Sequence, residues 1–364
     1  MRAAVLSSEA LDPLSRGRFR ALQGMGCTLA LLLPAADPAD GTPLAYGAEG
    51  GVRLVPIPVN GDPQATRWSS AALRRFLTEF RPEVLQVEAE PWWPVAQQAL
   101  QLAAKVHVPA VLHVSTSVLP GLSLRERLRR ARASRLAKGF AASNRLALTL
   151  AAKGRDELPS AIFPRQGIVV PTLGRPRAPR PGFTIGFVGR LVPERGLDVL
   201  LRACAQLRGD WKLVVVGTGP AQEELEQLAE RLGIGARVTW QGGIPRGWLD
   251  TFWPTVDCVV LPARTTPRWV ESVGQSLLDA MAQGLPVIGS DSGVLPEIIG
   301  DAGITVPEDD PDRLALSLQR LQAMPDEAAS LGTAGRRRVM SEFVDDAIAR
   351  KTLAYWRTVT ARAP

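Results

Sequence analysis

Three stretches in the second half of this 364-residue chain put charged or glycine residues where a short apolar run gives way to an amphipathic one. The first runs from Gly189 to Gly196 and carries Arg190 and Arg195, five residues apart. Free backbone N–H groups and the dipole make a helix N-terminus a seat for oxyanions, and guanidinium groups add charge and fork-shaped donors. Taken alone, these two residues read either as anion ligands or as solvated loop arginines. The second stretch, Gly217-Thr218-Gly219-Pro220, permits a tight turn and close backbone approach. The third is Glu271 to Gly293. Glu271 precedes a predicted helix and Asp279 lies two turns inside it. At about 100° per residue the two fall within a quarter turn of each other. The amides of Ser272, Val273, Gly274 and Gln275 are expected to face a phosphate, with Glu271 accepting from sugar hydroxyls and Asp279 from a ribose. An acidic helix start with a charged outer face is the plainer reading of the same residues.

The elements that must position these groups alternate between short apolar runs and longer amphipathic ones, the pattern of parallel sheets with crossover helices. Strands are expected at 2–6, 28–33, 84–88, 109–115, 139–143 and 160–163, then at 184–188, 212–216, 237–241, 258–262 and 286–289. Helices are expected at 14–25, 69–80 and 91–105, then at 196–208, 220–233, 246–253, 274–283, 294–299, 311–323 and 326–340. All three chemical stretches then follow strand ends, where open α/β sheets bind ligands. The proline- and arginine-rich segment 171–182 has no periodicity and reads as a linker. The expected organisation is a Rossmann-like domain at 1–170, the linker, a second at 183–342 and a terminal helix at 343–364.

The order Gly189-Arg190 to Arg195-Gly196, Gly217 to Pro220, Glu271 to Asp279 with Ala280-Met281-Ala282-Gln283-Gly284-Leu285-Pro286-Val287, Ser290 to Glu297 and Gly300 to Gly303 resembles the C-terminal domain of family 4 glycosyltransferases. The resemblance covers roughly 183–345 and is weaker in the first half. It implies the GT-B fold: two doubly wound Rossmann-like α/β domains facing a cleft, with the C-terminal helix crossing back to the first. It also implies retaining transfer of a sugar from a nucleotide-diphospho-sugar, with no cofactor and no metal. Arg190 and Arg195 would hold the diphosphate, Glu271 the sugar, Asp279 the ribose, the Ser272 to Gln275 amides phosphate, and Gly189, Gly217 and Gly219 the nucleotide pocket. The family usually carries Lys at Arg195, Glu at Asp279 and an aromatic at Val273. Those departures point the other way, to a weakened or non-catalytic sugar-nucleotide-binding relative; a GT-B sugar-nucleotide epimerase is the third reading.

In the first half the same resemblance points to an acceptor domain. Gly17 stands in for a usual double-glycine loop, and Ser115 for a usual strand-end histidine. His113 shares a strand face with Ser115 and reads either as an acid/base for an acceptor hydroxyl or as a structural histidine. Glu88 and Glu90, beside Trp92 and Trp93, are candidates for acceptor hydroxyls or a charged helix start.

Charge sharpens the acceptor side. The chain is +7, with 43 basic and 36 acidic residues. Residues 1–171 hold 21 basic and 13 acidic residues, a net of +8, and 172–364 hold 22 and 23, a net of −1. Seven cations and one acid fall within 122–138, a basic amphipathic stretch that reads as a solvated face or as a peripheral contact with an anionic membrane. No aromatic stacking platform accompanies it, which argues against nucleic acid. Cys27, Cys204 and Cys258 lack metal-like spacing and read as buried thiols, and two histidines leave little for zinc. With no signal peptide or membrane span legible, the expected setting is cytoplasmic, at or near the inner face of the membrane, with a nucleotide sugar and a glycan, lipid-linked or small-molecule acceptor of cell-envelope type as partners.

Overall fold

Arg2–Ser7 (β1) is buried from Ala3 onward, as a strand covered on both faces must be. It pairs in parallel with Thr28–Pro34 (β2) on one side, Ala4 opposite Ala30, and with Val84–Glu88 (β5) on the other, Ala4 opposite Leu85. Ala48–Glu49 (β3) and Val52–Ile57 (β4) extend the β2 edge, and Ala110–Val114 (β6), Phe140–Ala142 (β7) and Ser160–Ile162 (β8) extend the other. The sheet order is β3-β4-β2-β1-β5-β6-β7-β8, parallel except for β3 against β4. Helices Gly17–Gly24 (α1), Ser70–Phe80 (α2), Pro94–Lys105 (α3), Leu124–Leu136 (α4) and Arg145–Ala152 (α5) connect the strands. In this computed structural model the described residues are 1–36, 43, 47–62, 64, 66–119, 121–172 and 182–362. The linker expected at 171–182 lies, over 173–181, outside them.

The second sheet comprises Phe183–Val188 (β9), Trp211–Val216 (β10), Val238–Trp240 (β11), Cys258–Leu261 (β12), Val287–Ser290 (β13) and Ile304–Val306 (β14). It is parallel throughout in the order β11-β10-β9-β12-β13-β14. That is the doubly wound order, with the switch point between β9 and β12; in the first sheet it lies between β1 and β5. The helices are Leu197–Cys204 (α6), Gln222–Arg231 (α7), Leu249–Phe252 (α8), Gln275–Ala282 (α9), Leu295–Ile299 (α10), Pro311–Ala323 (α11) and Pro325–Glu342 (α12). The last helix, Asp345–Arg362 (α13), belongs with the first sheet: one unit is Met1–Gly167 with Phe343–Pro364, the other Ile168–Glu342. Two acids in the first turn of α13 suit the positive end of its dipole.

α13 packs on α1. Gly17 is buried there, and a Cβ on it would fall 1.7 Å from Asp345 Oδ2. Its expected place in an open substrate loop is therefore corrected: glycine is needed at 17 so that the start of α13 can dock. The expected helix at 14–25 divides into a 3-10 turn at Pro13–Arg16 and α1. The one expected at 246–253 reduces to α8 flanked by 3-10 turns. All three cysteines are free and buried.

Candidate functional site

In the second unit the site forms at the carboxyl ends of β9 and β12, the switch point of that sheet. β9 runs into a loop whose 3-10 turn, Pro193–Arg195, delivers Arg195 just before α6. β12 runs into the loop that carries Glu271 and enters α9 through Gly274, which is left-handed at φ 63°. A side chain at 274 would be strained, and its Cβ would lie 2.5 Å from Ile298 Cδ1. These two loops bring Arg195 Nη1 onto Glu271 Oε2 as a hydrogen-bonded ion pair. Glu271 is 3% exposed. Its other oxygen, Oε1, accepts from the amides of Val273 at 3.1 Å and Gly274 at 3.0 Å.

That last arrangement corrects one expectation. Two of the four amides expected to face a phosphate already donate to Glu271. Both amides lie in the turn just before α9, whose N-cap is Gly274, and a carboxylate two and three residues upstream is their acceptor. Glu271 thus fastens the turn that leads into α9 and partners Arg195.

A cavity of about 410 Å³ opens here. Of the expected residues, Gly189, Arg195, Glu271, Ser272, Val273, Gln275 and Asp279 line it. Asp279 Oδ1 accepts from Gln275 Nε2 at 2.8 Å, one turn apart on the same helix face. Arg190 is exposed and is not among the lining residues. Gly217 and Gly219 are not part of the wall either. A Cβ at 217 would sit 1.8 Å from Gly189 O, and one at 219 would sit 2.2 Å from Leu191 O. The loop after β10 runs against the loop after β9, with Gly189 N donating to Val216 O and Leu191 N to Thr218 O. Glycine is required there so that two backbones can touch.

Sequence reasoning missed Val188, Leu249, Ser276 and above all Trp269. Thr266 and Trp269 bridge in antiparallel fashion, and the Arg195 guanidinium stands 5.3 Å from the indole centroid, a cation–π contact that fixes the arginine. A lone tryptophan among Thr, Pro and Arg two residues before Glu271 was the available signal.

In the first unit, Glu88, Glu90 and His113 sit in the interior. Arg18 Nη2 pairs with Glu88 Oε1, and both side chains are almost fully buried. Burial pushes the Glu88 carboxyl upward, but the Arg18 and Arg165 charges with hydrogen bonds from Ser7 and Gln86 outweigh it and leave it below its usual range. Glu90 Oε1 accepts from the amides of Ser115 at 2.9 Å and Thr116 at 3.0 Å, so it staples the end of β6. Both the Ser115 amide and Glu90 are committed to that staple rather than presented to an acceptor. His113 is 0% exposed. Its Nε2 lies 3.1 Å from Phe163 O and its Nδ1 lies 3.2 Å from Gln86 Nε2. With the carbonyl accepting, Nε2 carries the proton and Nδ1 accepts. Buried with both nitrogens engaged, His113 is structural, and its expected role as an acid/base is corrected.

Burial, then the charges of Arg165 and Arg18, hold the imidazole well below its usual range. Below about pH 6.5 the unfolded chain binds a proton that native His113 does not, so stability falls with falling pH by up to about 1.4 kcal/mol per unit. Glu88 adds to this only below the ordinary carboxylate range. His113→Gln is expected to flatten the slope between about pH 6.5 and 5. Denaturant melts across that range check it; a slope as steep as the wild type's would refute the assignment.

Among the described residues no group of three or more His, Cys, Asp or Glu is placed to hold a metal ion, and no helix is long and apolar enough to cross a membrane.

Residues 175–338 match the family model for glycosyl transferases group 1. The chain is 37% identical over 156 residues to a GDP-mannose-dependent alpha-(1-6)-phosphatidylinositol monomannoside mannosyltransferase of Mycolicibacterium smegmatis, covering 41% of each chain. It is 32% identical over 189 residues to an alpha-maltose-1-phosphate synthase of the same organism, covering 49% of this chain and 48% of the relative. The chain spans about half the length of the curated relatives it matches. In structure it is similar to Anabaena Alr3699/HepE in complex with UDP, with a TM-score of 0.72, 17% identity and coverage of 98% and 100%. It is also similar to the lipopolysaccharide outer core galactosyltransferase WaaB, with a TM-score of 0.71, 16% identity and coverage of 98% and 99%. At such identities the likeness is one of fold, and that fold is GT-B, built of two Rossmann-like domains.

Proposed function

We propose that this GT-B chain, whose residues 175–338 belong to the glycosyl transferases group 1 family, transfers a sugar from a nucleotide-diphospho-sugar held in its second unit to an acceptor held in its first. The observation that carries this is the Arg195–Glu271 pair, set with Asp279 in a cavity at a sheet switch point. Arg195 stabilises the leaving diphosphate as charge develops on it. Glu271 meets the transferred sugar and Asp279 the ribose. In the retaining reading, the bond from the anomeric carbon to the diphosphate oxygen breaks. A bond to the acceptor oxygen forms on the same face, and the acceptor's proton passes to the departing phosphate oxygen. The donor is a substrate, and the reaction needs neither cofactor nor metal.

A panel of UDP- and GDP-sugars, followed by nucleotide release with and without acceptor extract, tests this. Both bases belong in it, because one relative's name specifies GDP-mannose and one similar structure holds UDP. Acceptor-dependent release is expected. Release without acceptor points to epimerase or hydrolase chemistry, and absence of both binding and release refutes the proposal.

A glycan or lipid-linked acceptor of the cell envelope fits the relative named for a phosphatidylinositol mannoside. On α4, Leu124 and Leu128 are 74% and 50% exposed and share a face with the exposed Arg132 and Arg135. Apolar side chains among arginines suit the inner face of an anionic membrane. Neutralising Arg125, Arg129 and Arg132 together is expected to abolish sedimentation with anionic vesicles; binding that survives the triple change refutes the contact.

A further inference from the structure

A second cavity, of about 160 Å³, opens in the first unit where β1 and β5 end, the switch point of that sheet. Its charged wall is Glu9, Asp12, Arg18, Glu88 and Arg165, with Ser15 and Gln166 beside them. Arg18 pairs with Glu88 and Arg165 pairs with Glu9. Those pairs leave donors over. Arg18 is 1% exposed, and among the described residues its Nε and Nη1 have no partner; Arg165 is 7% exposed, and its Nε has none among them. A buried charged donor without an acceptor is costly, and such groups recur where a site awaits a ligand.

Charge selects the ligand. Two guanidinium groups share this wall with three carboxylates, a net of one negative charge, so a phosphate or carboxylate would meet repulsion. A hydroxyl suits both kinds of group, because it donates to a carboxylate and accepts from a guanidinium. The volume is below the ~300 Å³ at which drug-sized pockets begin, so there is room for one ring. We propose that this cavity is a subsite for a single uncharged polyhydroxylated ring, a sugar or cyclitol, held between Arg18 and Arg165 as donors and Glu9, Asp12 and Ser15 as acceptors. Calling that ring part of the acceptor rests on the glycosyltransferase reading; the binding chemistry does not.

Saturation-transfer NMR on the whole protein, with mannose, galactose, glucose and myo-inositol as probes and inorganic phosphate as competitor, tests the site. At least one polyol is expected to bind and phosphate is expected not to displace it. Asp12→Asn keeps an acceptor for the Leu14 amide, which Asp12 Oδ1 now binds at 2.9 Å. That variant and Arg165→Lys are each expected to weaken the polyol tenfold or more, while Glu271→Gln in the other unit leaves it unchanged. No polyol binding, displacement by phosphate, or full binding in both first-unit variants overturns the proposal. Nucleotide binding is followed in the same samples. Its loss with polyol binding intact would count against the donor site alone.

Discussion

Glu271→Gln is expected to lower turnover by about 10²–10³-fold, the usual cost of removing one preorganised electrostatic contact, while nucleotide binding stays within a few-fold of the wild type. The carboxylate has two tasks divided between its oxygens. Oε1 fastens the turn before α9 through the Val273 and Gly274 amides, and Oε2 holds Arg195. A glutamine oxygen can keep both amide bonds, so the turn before α9 survives. The amide nitrogen then faces the Arg195 guanidinium, donor against donor, and the charge proposed to meet the sugar is gone. Glu271→Ala also takes the acceptor from both amides and is expected to add a loss of stability of ~1 kcal/mol. Steady-state kinetics with separate donor titrations, beside a thermal melt, divide these effects. Wild-type turnover in Glu271→Gln would remove Glu271 from the chemistry whatever the donor proves to be.

Part of this site was readable from the sequence because it is local. Glu271, Gly274 and Asp279 lie within nine residues, and the helical period alone sets their faces. The positions of Gly189 and Arg195 followed from a strand, a loop and a helix in succession. The strands β1, β2 and β5 to β13 were legible as short apolar runs between amphipathic ones. β3, β4 and β14 were not. In β4, Pro56 and a charged Arg53 interrupt the apolar pattern, and β3 has two residues. No periodicity argument reaches runs of that kind. The turn before α9 was invisible because the sequence shows free amides and a nearby carboxylate but not that one folds onto the other. The assignments of His113, Glu88 and Gly17 failed for a common reason. Each is fixed by a partner far along the chain: Phe163 for His113, Arg18 for Glu88 and Asp345 for Gly17. Residue type suggested chemistry, and burial against remote partners removed it.

The C-terminal helix supplies the second large effect. Trp356→Ala is expected to destabilise the first unit by about 3–5 kcal/mol. Trp356 is 0% exposed, and Tyr355 and Val359 beside it are 5% and 2% exposed. Its indole Nε1–H donates to Gln86 Oε1 at 2.9 Å. The Gln86 amide in turn donates to Glu88 Oε1 at 2.8 Å and toward His113 Nδ1. Removing the indole therefore opens a large cavity and also leaves the Gln86 oxygen buried without a partner. That oxygen anchors the Gln86 side chain whose amide meets Glu88 and His113 on the central strands β5 and β6. Trp356→Phe separates the two contributions, since it keeps most of the volume and loses only the N–H. It is expected to cost about 1–3 kcal/mol, the penalty for an unsatisfied buried polar group. Hydrogen exchange reads the result by position. Amides of β1, β5 and α13 are expected to lose protection in Trp356→Ala, with those of β9 and β12 unchanged. Equal protection in β5 before and after the substitution would show that α13 covers the first sheet without stabilising it, and a loss confined to β9 and β12 would place the helix in the wrong unit.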